Sequence, residues 1–284
     1  MPARKPTNGC DRLTESPASA DPQVFVAIGD IHGMNTMLHD LIERLEAMQQ
    51  LADALQVFLG DYVDRGDDTA GVINTLIQLR TTRPQTIFLR GNHEQLMLDA
   101  CDASRRLVHT SPGMKVLDSE PMQLWLENGG RETLLSYNRN WTEPDLAHWW
   151  DWIPEEHWAL LRDTLMEFIT ERYHFVHAGA LPPGSNWDGH GLGLDHRLWI
   201  REPFLSSKSD FDGRVVVFGH SPQRHHRPLV KPNKIGLDTG AVFHGKLTAA
   251  ILRSELQRRK LPAPEFVQVA WRDACAPTLP FDDE

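Results

Sequence analysis

Gln23-Val24-Phe25-Val26-Ala27-Ile28-Gly29-Asp30-Ile31-His32-Gly33 runs from a short apolar segment straight into a glycine-flanked Asp-x-His. The Val, Ile and Phe content and the Gly29 stop predict a buried strand over Gln23–Ile28. From Thr36 to Met48 the apolar residues Met37, Leu38, Leu41, Ile42, Leu45 and Met48 share one helical face. Gln56–Leu59 reads as a second strand. Ala70–Leu79 reads as a second helix, entered through Asp67-Asp68-Thr69, any of which can cap it. Thr86–Leu89 is a third strand and a helix starts near Glu94. Alternating strands and helices imply a parallel sheet with right-handed crossovers.

Each of these strands ends in the same kind of chemistry. Gly60-Asp61-Tyr62-Val63-Asp64-Arg65-Gly66 follows the second, and Gly91-Asn92-His93-Glu94 follows the third. Later strands end in His177-Ala178-Gly179 and Gly219-His220-Ser221. Open α/β sheets put ligand sites outside the carboxyl ends of their strands, and the adjacent glycines let the chain turn sharply there. Asp30 and His32, two apart in an extended segment, point the same way and can grip one ion. With one carboxylate bridging, Asp30, His32 and Asp61 can hold a first ion, and Asp61, Asn92, His177 and His220 a second. Hard oxygen and imidazole donors without thiolates suit Mn²⁺, Fe, Zn²⁺ or Mg²⁺. Two such ions side by side suit in-line displacement at phosphorus. Any one of these residues alone would be read as a turn former or a satisfied polar group; the reading rests on five strand ends agreeing. Asp195, His196, His225 and His226 sit in loop-like contexts and are read as solvated surface.

The three blocks, with Asp30, Asp61 and Asn92 spaced 31 residues apart, resemble the signature of the phosphoprotein phosphatases, the calcineurin-like metallophosphoesterases that include bacterial serine/threonine protein phosphatases. His177-Ala178-Gly179 and Gly219-His220-Ser221 resemble that family's later metal-histidine segments. Leu198-Trp199-Ile200-Arg201-Glu202 resembles its second phosphate-binding arginine segment. The match spans roughly 24 to 252. It implies an α/β fold, a four-layer metallophosphoesterase sandwich of two mixed β-sheets flanked by helices, and two divalent metal ions, usually Mn²⁺ in bacterial members. It also implies a metal-bound hydroxide attacking phosphorus, with Arg65 and Arg201 binding the phosphate through planar forks. His93 would donate a proton to the leaving oxygen, with Asp64 holding the ring charged.

Substrate class follows from the second and third blocks. Relatives that hydrolyse dinucleoside polyphosphates resemble Gly-Asp-x-Val-Ala-Arg-Gly in the second and often end the third in Asp; here Asp64 and Glu94 stand instead. The reading is a phosphomonoesterase acting on phosphoserine and phosphothreonine. The alternative is a dinucleoside polyphosphate or nucleotide hydrolase on the same fold. A non-catalytic scaffold is disfavoured because no ligand, arginine or acid is missing. Asp67, Asp68 and Ser221 depart from the common pattern without touching the proposed ligands. Asp238, in Leu237-Asp238-Thr239-Gly240, reads equally as a residue supporting the site from behind and as a turn former.

The rest of the chain bounds this picture. The 284 residues carry 29 basic and 39 acidic side chains, a formal charge of −10, which argues against a nucleic-acid surface. Cys10, Cys101 and Cys275 are too few and too scattered for a disulfide framework, and no apolar run reaches membrane-spanning length. Residues 1–22 read as a disordered lead-in without signal-peptide character, 23–272 as one domain and 273–284 as a tail; the expected location is cytoplasmic, with no membrane or nucleic-acid partner. A helical insertion from about 102 to 172 holds six of the nine tryptophans, Trp125, Trp141, Trp149, Trp150, Trp152 and Trp158. It is read first as core filling and second as a cap over the site. Tyr173–Val176, Arg214–Phe218, Lys234–Leu237 and Lys246–Leu252 are expected to form a second sheet, with Glu265–Ala270 as an edge strand.

Overall fold

In the computed structural model, which describes residues 22–110, 114–189, 191, 193–256 and 260–271, the opening apolar run forms strand β1 (Val24–Ile28). Helix α1 (Asn35–Glu46), β2 (Leu55–Phe58), α2 (Thr69–Thr82), β3 (Ile87–Phe88) and α3 (Asn92–Thr110) follow. The alternation expected for this third of the chain is therefore present. Met37, Leu38, Leu41 and Leu45 are the buried face of α1. Asp68 is the residue that caps α2, accepting from Gly71 N at 2.9 Å while its other oxygen takes Asn35 Nδ2 at 2.8 Å. Its departure from the family pattern thus has a local structural use. Helix α3 begins two residues before Glu94, so Asn92 and His93 occupy its first turn.

The insertion contributes α4 (Glu120–Trp125), a widened turn at Leu126–Gly130, α5 (Arg131–Tyr137), short turns through Glu143–Trp152 and α6 (Glu155–Arg162). Beyond it come β4 (Glu167–Ile169), β5 (Tyr173–Val176), α7 (His196–Trp199), β6 (Val215–Phe218), β7 (Leu229–Lys231), β8 (Lys234–Gly236), β9 (Lys246–Arg253) and β10 (Glu265–Ala270). Strand β4 falls inside the stretch read as helical. The expected lead and tail, apart from Pro22, lie outside the described residues.

Two five-stranded mixed sheets result, in the orders β10-β9-β1-β2-β3 and β4-β5-β6-β8-β7. Strand β1 pairs parallel with β2 and antiparallel with β9. In the second sheet β5, β6 and β8 are parallel, and β4 and β7 add antiparallel edges. The expectation that Lys246–Leu252 and Glu265–Ala270 belong to the second sheet is corrected. Strand β9 is apolar on both faces, Leu247, Ala249 and Ile251 on one and Ala250 and Leu252 on the other, and such a strand needs cover on both sides. It finds this cover beside β1.

The period-two alternation of β1 divides the interior. Phe25 and Ala27 face the second sheet, meeting Tyr173, Phe175, Val217 and Ile235. Val26 and Ile28 face the helices, in a core that continues through Trp125, Trp149 and Trp158. The outer face of the second sheet, with Val176, Val216 and Phe218, is covered by Ile200, Phe204 and Phe211. Among the described residues no helix is long and apolar enough to cross a membrane.

Trp149 lies 4.7 Å from Trp125 and 5.8 Å from Trp158 between ring centroids, with its Nε1 donating to Ser104 Oγ at 3.1 Å. Trp149→Ala is expected to lower the free energy of unfolding by about 3–5 kcal/mol. Urea titration measures this, and a loss below about 1 kcal/mol would show that the cluster does not hold the insertion together.

Candidate active site

Five strand ends converge at one edge of the two sheets, and the backbone there is unusual. His32, Asp61, Asp64, Arg65 and His220 all adopt positive φ, between 46° and 71°. Non-glycine residues rarely do so, and together they mark a place where surrounding contacts hold the chain against its preference. A Cβ at Gly219 would overlap Asp30 Oδ1, and one at Gly66 would overlap the carbonyl oxygen of His32. These two glycines let the loops close on one another.

Glu94 holds the loops together. Its Oε2 accepts from Asp61 N and Gly91 N, each at 2.8 Å, and its Oε1 from Tyr62 N at 2.7 Å and Val63 N at 3.2 Å. Burial, with Asp61 nearby, pushes its carboxyl up to about 7 even so. In the sequence Glu94 reads as a helix start and as a marker of substrate class; a carboxylate three residues beyond the strand-end Gly91 is the available signal for its tie to the loops.

The predicted ligands are brought together and buried. Asp61 Oδ2 lies 3.4 Å from His32 Nε2, and Asp61 Oδ1 lies 3.4 Å from His177 Nε2. Asn92 Oδ1 lies 3.0 Å from His177 Nε2 and 2.9 Å from His220 Nδ1. Asp30 Oδ2 accepts from His220 N at 2.9 Å, while its Oδ1 is buried without a hydrogen-bond partner. Two close groups of donor atoms form, His32–Asp61–His93 and Asp61–His177–His220, sharing Asp61. Asp30 stands beside the first rather than within it, and His93 comes closer than expected.

This arrangement fits a pair of cations. His32 and His177 each spend Nδ1 on a main-chain carbonyl, Val63 O and Leu59 O, both at 2.9 Å. Their Nε2 lone pairs are thereby turned towards the oxygens of Asp61. Burial lowers the pKa of His32, His177 and His220, so protonation does not relieve this opposition of lone pairs. Asp30 is raised by burial and then by Asp238 and Asp61, and Asp238 is pushed up to about 6, first by burial. Buried lone pairs and carboxylates facing one another call for positive charge between them. Asp238 serves both roles foreseen for it: it accepts from Gly240 N at 3.0 Å as a turn former, and its charge acts on Asp30.

His93 and Asp64 form the buried pair expected of them, Nδ1 to Oδ2 at 2.8 Å. Burial opposes a charge on His93, but the Asp61 charge and the Asp64 hydrogen bond outweigh it and raise its pKa. Asp64 also accepts from Thr133 Oγ1 at 2.7 Å and from Trp125 Nε1 at 3.0 and 3.1 Å. Sequence reasoning missed both donors, since they lie 69 and 61 residues away. The insertion therefore fills the core and also reaches the site. Arg65 N donates to Gly129 O at 3.1 Å, and Arg65 Nη1 approaches His32 Nε2 at 2.7 Å. Arg201 is exposed, and its charge acts on His220 and Asp238. His225 and His226 are exposed, as read, whereas Asp195 and His196, also read as solvated surface, are half-buried, because Asp195 caps α7 by accepting from Arg197 N.

Glu94→Gln would turn an amide N–H₂ against main-chain N–H groups. The variant is expected to lose about 1–3 kcal/mol of stability, by chemical denaturation, and to bind less than its full complement of divalent metal by elemental analysis. Wild-type stability and metal content would refute the role assigned to this carboxylate.

The calcineurin-like phosphoesterase family model matches residues 24–245. The serine/threonine-protein phosphatase 1 of Salmonella typhimurium is 30% identical over 236 residues, covering 78% of this chain and 89% of that protein. The asymmetrical bis(5'-nucleosyl)-tetraphosphatase of Halalkalibacterium halodurans is 26% identical, over 87% of this chain and 94% of that protein. The symmetrical bis(5'-nucleosyl)-tetraphosphatase of a Janthinobacterium species is 26% identical, over 78% and 90%. A solved crystal structure covering 89% of this chain and 96% of its own superposes with a TM-score of 0.51 at 19% identity, which shows the fold alone. The chain belongs to the calcineurin-like phosphoesterases, a family of hydrolases built around a dinuclear divalent metal site.

Proposed function

We propose that this protein is a phosphomonoesterase that releases phosphate from phosphoserine and phosphothreonine. The observation that carries this reading is the buried His93–Asp64 pair. An alkoxide is a poor leaving group and needs a proton as its bond to phosphorus breaks. A polyphosphate or nucleotide leaving group carries its own negative charge stably and needs none. A histidine whose pKa is raised against burial by the Asp61 charge and by a hydrogen bond to Asp64, itself held by three donor contacts from Thr133 and Trp125, is machinery for the first case. The greater identity to a serine/threonine-protein phosphatase than to the two tetraphosphatases supports the same choice.

Asp30, His32 and Asp61 would hold one divalent ion, and Asp61, Asn92, His177 and His220 the other; Mn²⁺ suits this oxygen and imidazole set. When bound, the two ions supply positive charge for the phosphate dianion and make water acidic enough to act as nucleophile near neutral pH. The chain's own groups do the rest. Arg65 and Arg201 take phosphate oxygens through their planar N–H edges. His93 Nδ1 stays on Asp64, which leaves Nε2 to deliver the proton to the departing serine or threonine oxygen. Thr133 and Trp125 keep Asp64 from turning away.

His93→Ala is expected to lower kcat on a phosphothreonine peptide by about 10²–10⁴-fold while both metals remain by elemental analysis. Loss of a metal ion in that variant would make His93 a ligand instead. Stripping metal with a chelator should abolish turnover and Mn²⁺ should restore it. The two tetraphosphatase relatives make the alternative concrete: faster hydrolysis of a dinucleoside tetraphosphate than of a phosphothreonine peptide, compared by kcat/KM, would overturn the substrate assignment.

A further inference from the structure

Phe243 is a large apolar side chain left 51% exposed, and it sits where exposure has a use. It ends a short turn, Ala241–Phe243, between β8 and β9, flanked by Gly240 and His244, both in the left-handed region. Phe243 N and Gly245 N both donate to Gly240 O at 2.9 Å. His244 packs edge-on against Trp271, with centroids 4.3 Å apart. The turn is thus tied down while the ring it carries stays open to solvent. The guanidinium of Arg65 lies over that ring, its Cζ 5.5 Å from the centroid. The same guanidinium reaches His32 Nε2 at 2.7 Å, so the ring stands one side chain away from the candidate metal ligands.

We propose that Phe243 is the positioning residue for Arg65, holding the guanidinium flat against an aromatic face so that its N–H edge is presented to the substrate's phosphate. This rests on the phosphomonoesterase reading of the site. A phosphate-binding arginine must be oriented without being neutralised. A carboxylate partner would occupy the in-plane N–H groups that the phosphate needs, and among the described residues no ion pair between Arg65 and a carboxylate is formed. An aromatic face attracts the cation from below without itself taking any in-plane N–H, of which Nη1 here approaches His32 Nε2 and the others remain for phosphate. Gly129 packs close to the stem of Arg65: a Cβ there would meet Arg65 Cγ at 2.7 Å. Gly129 and Phe243, from well-separated parts of the sequence, thus both bear on Arg65, one at its stem and one at its guanidinium.

The test compares Phe243→Ala, Phe243→Leu and Phe243→Trp, all at an exposed position whose truncation spares the core. The Mn²⁺-loaded proteins are titrated with orthophosphate by calorimetry and assayed on an aryl phosphate. Alanine and leucine are both expected to weaken orthophosphate binding and to raise KM by about 3- to 10-fold, with kcat within 2-fold of wild type and metal content unchanged. Tryptophan, with the stronger quadrupole, should match wild type or bind more tightly. Leucine behaving as wild type would reduce the contact to space filling and overturn the proposal, as would unchanged orthophosphate affinity in all three. Absent turnover in the wild-type protein would sink the phosphomonoesterase reading, and the ratio of orthophosphate affinities would still decide the role of Phe243.

Discussion

Four main-chain N–H groups, from Asp61, Tyr62, Val63 and Gly91, point into a space closed to water, and the Glu94 carboxylate is their partner. Two loops leave neighbouring parallel strands there, and neither can satisfy these donors within itself. Unpaired, each buried donor would cost about 1–3 kcal/mol, so the loops cannot take this form without the carboxylate. The rest of the site inherits its geometry from that bond. With the amides of 61–63 fixed, the Asp61 side chain stands between His32 and His177. With Gly91 fixed, α3 begins at Asn92, and its first turn delivers an amide oxygen to one side and an imidazole to the other.

Backbone strain in this molecule gathers where the chemistry is. His32, Asp61, Asp64, Arg65 and His220 hold left-handed conformations that L residues avoid, each at a cost of order 1–3 kcal/mol. Such a set persists only where neighbouring contacts over-determine it. Glu94 supplies part of that restraint. The main-chain bonds of Ile31 N and His32 N to Asp61 O, at 3.0 and 2.9 Å, supply more by locking the first loop onto the second. The interior close to these loops is packed with bulky rings on one side and sheet residues on the other, so relaxation would open cavities in both.

The parts legible in the sequence are those where structure and chemistry are encoded locally. A β-rich run ending in Gly-Asp-x-His predicts a strand, its stop and a ligand pair within eleven residues, and β1 with Asp30 and His32 follows suit. The same holds for Asp68, whose cap needs only the next few residues. What stayed hidden depends on contacts across long separations. The place of β9 beside β1 is set by burial on both of its faces, which a run of apolar residues does not report. Trp125 reads as one more core ring, and nothing near it announces that its Nε1 meets Asp64. Nothing near Phe243 in the sequence announces that the Arg65 guanidinium lies over its ring.

The insertion between β3 and β4 therefore cannot be treated as a lid laid on a finished site. Asp64 has no exposure, and its carboxylate is held by His93 on one side and by Trp125 and Thr133 on the other. Asp64 N in turn donates to Thr133 Oγ1 at 2.9 Å, and Arg65 N donates to Gly129 O at the widened turn. Such turns, with one residue too many for a regular helix, recur at functional sites because they aim a carbonyl sideways. Here the aimed carbonyl fixes the main chain of Arg65 in its left-handed state. A carboxylate with this many donors is fixed in place, and its hydrogen bond to Nδ1, together with the nearby Asp61 charge, raises the pKa of the His93 imidazole against the effect of burial. The helices of the insertion thus hold the Asp64 carboxylate beside His93 and the main chain of Arg65 together, from a segment that supplies none of the five metal-facing strand ends.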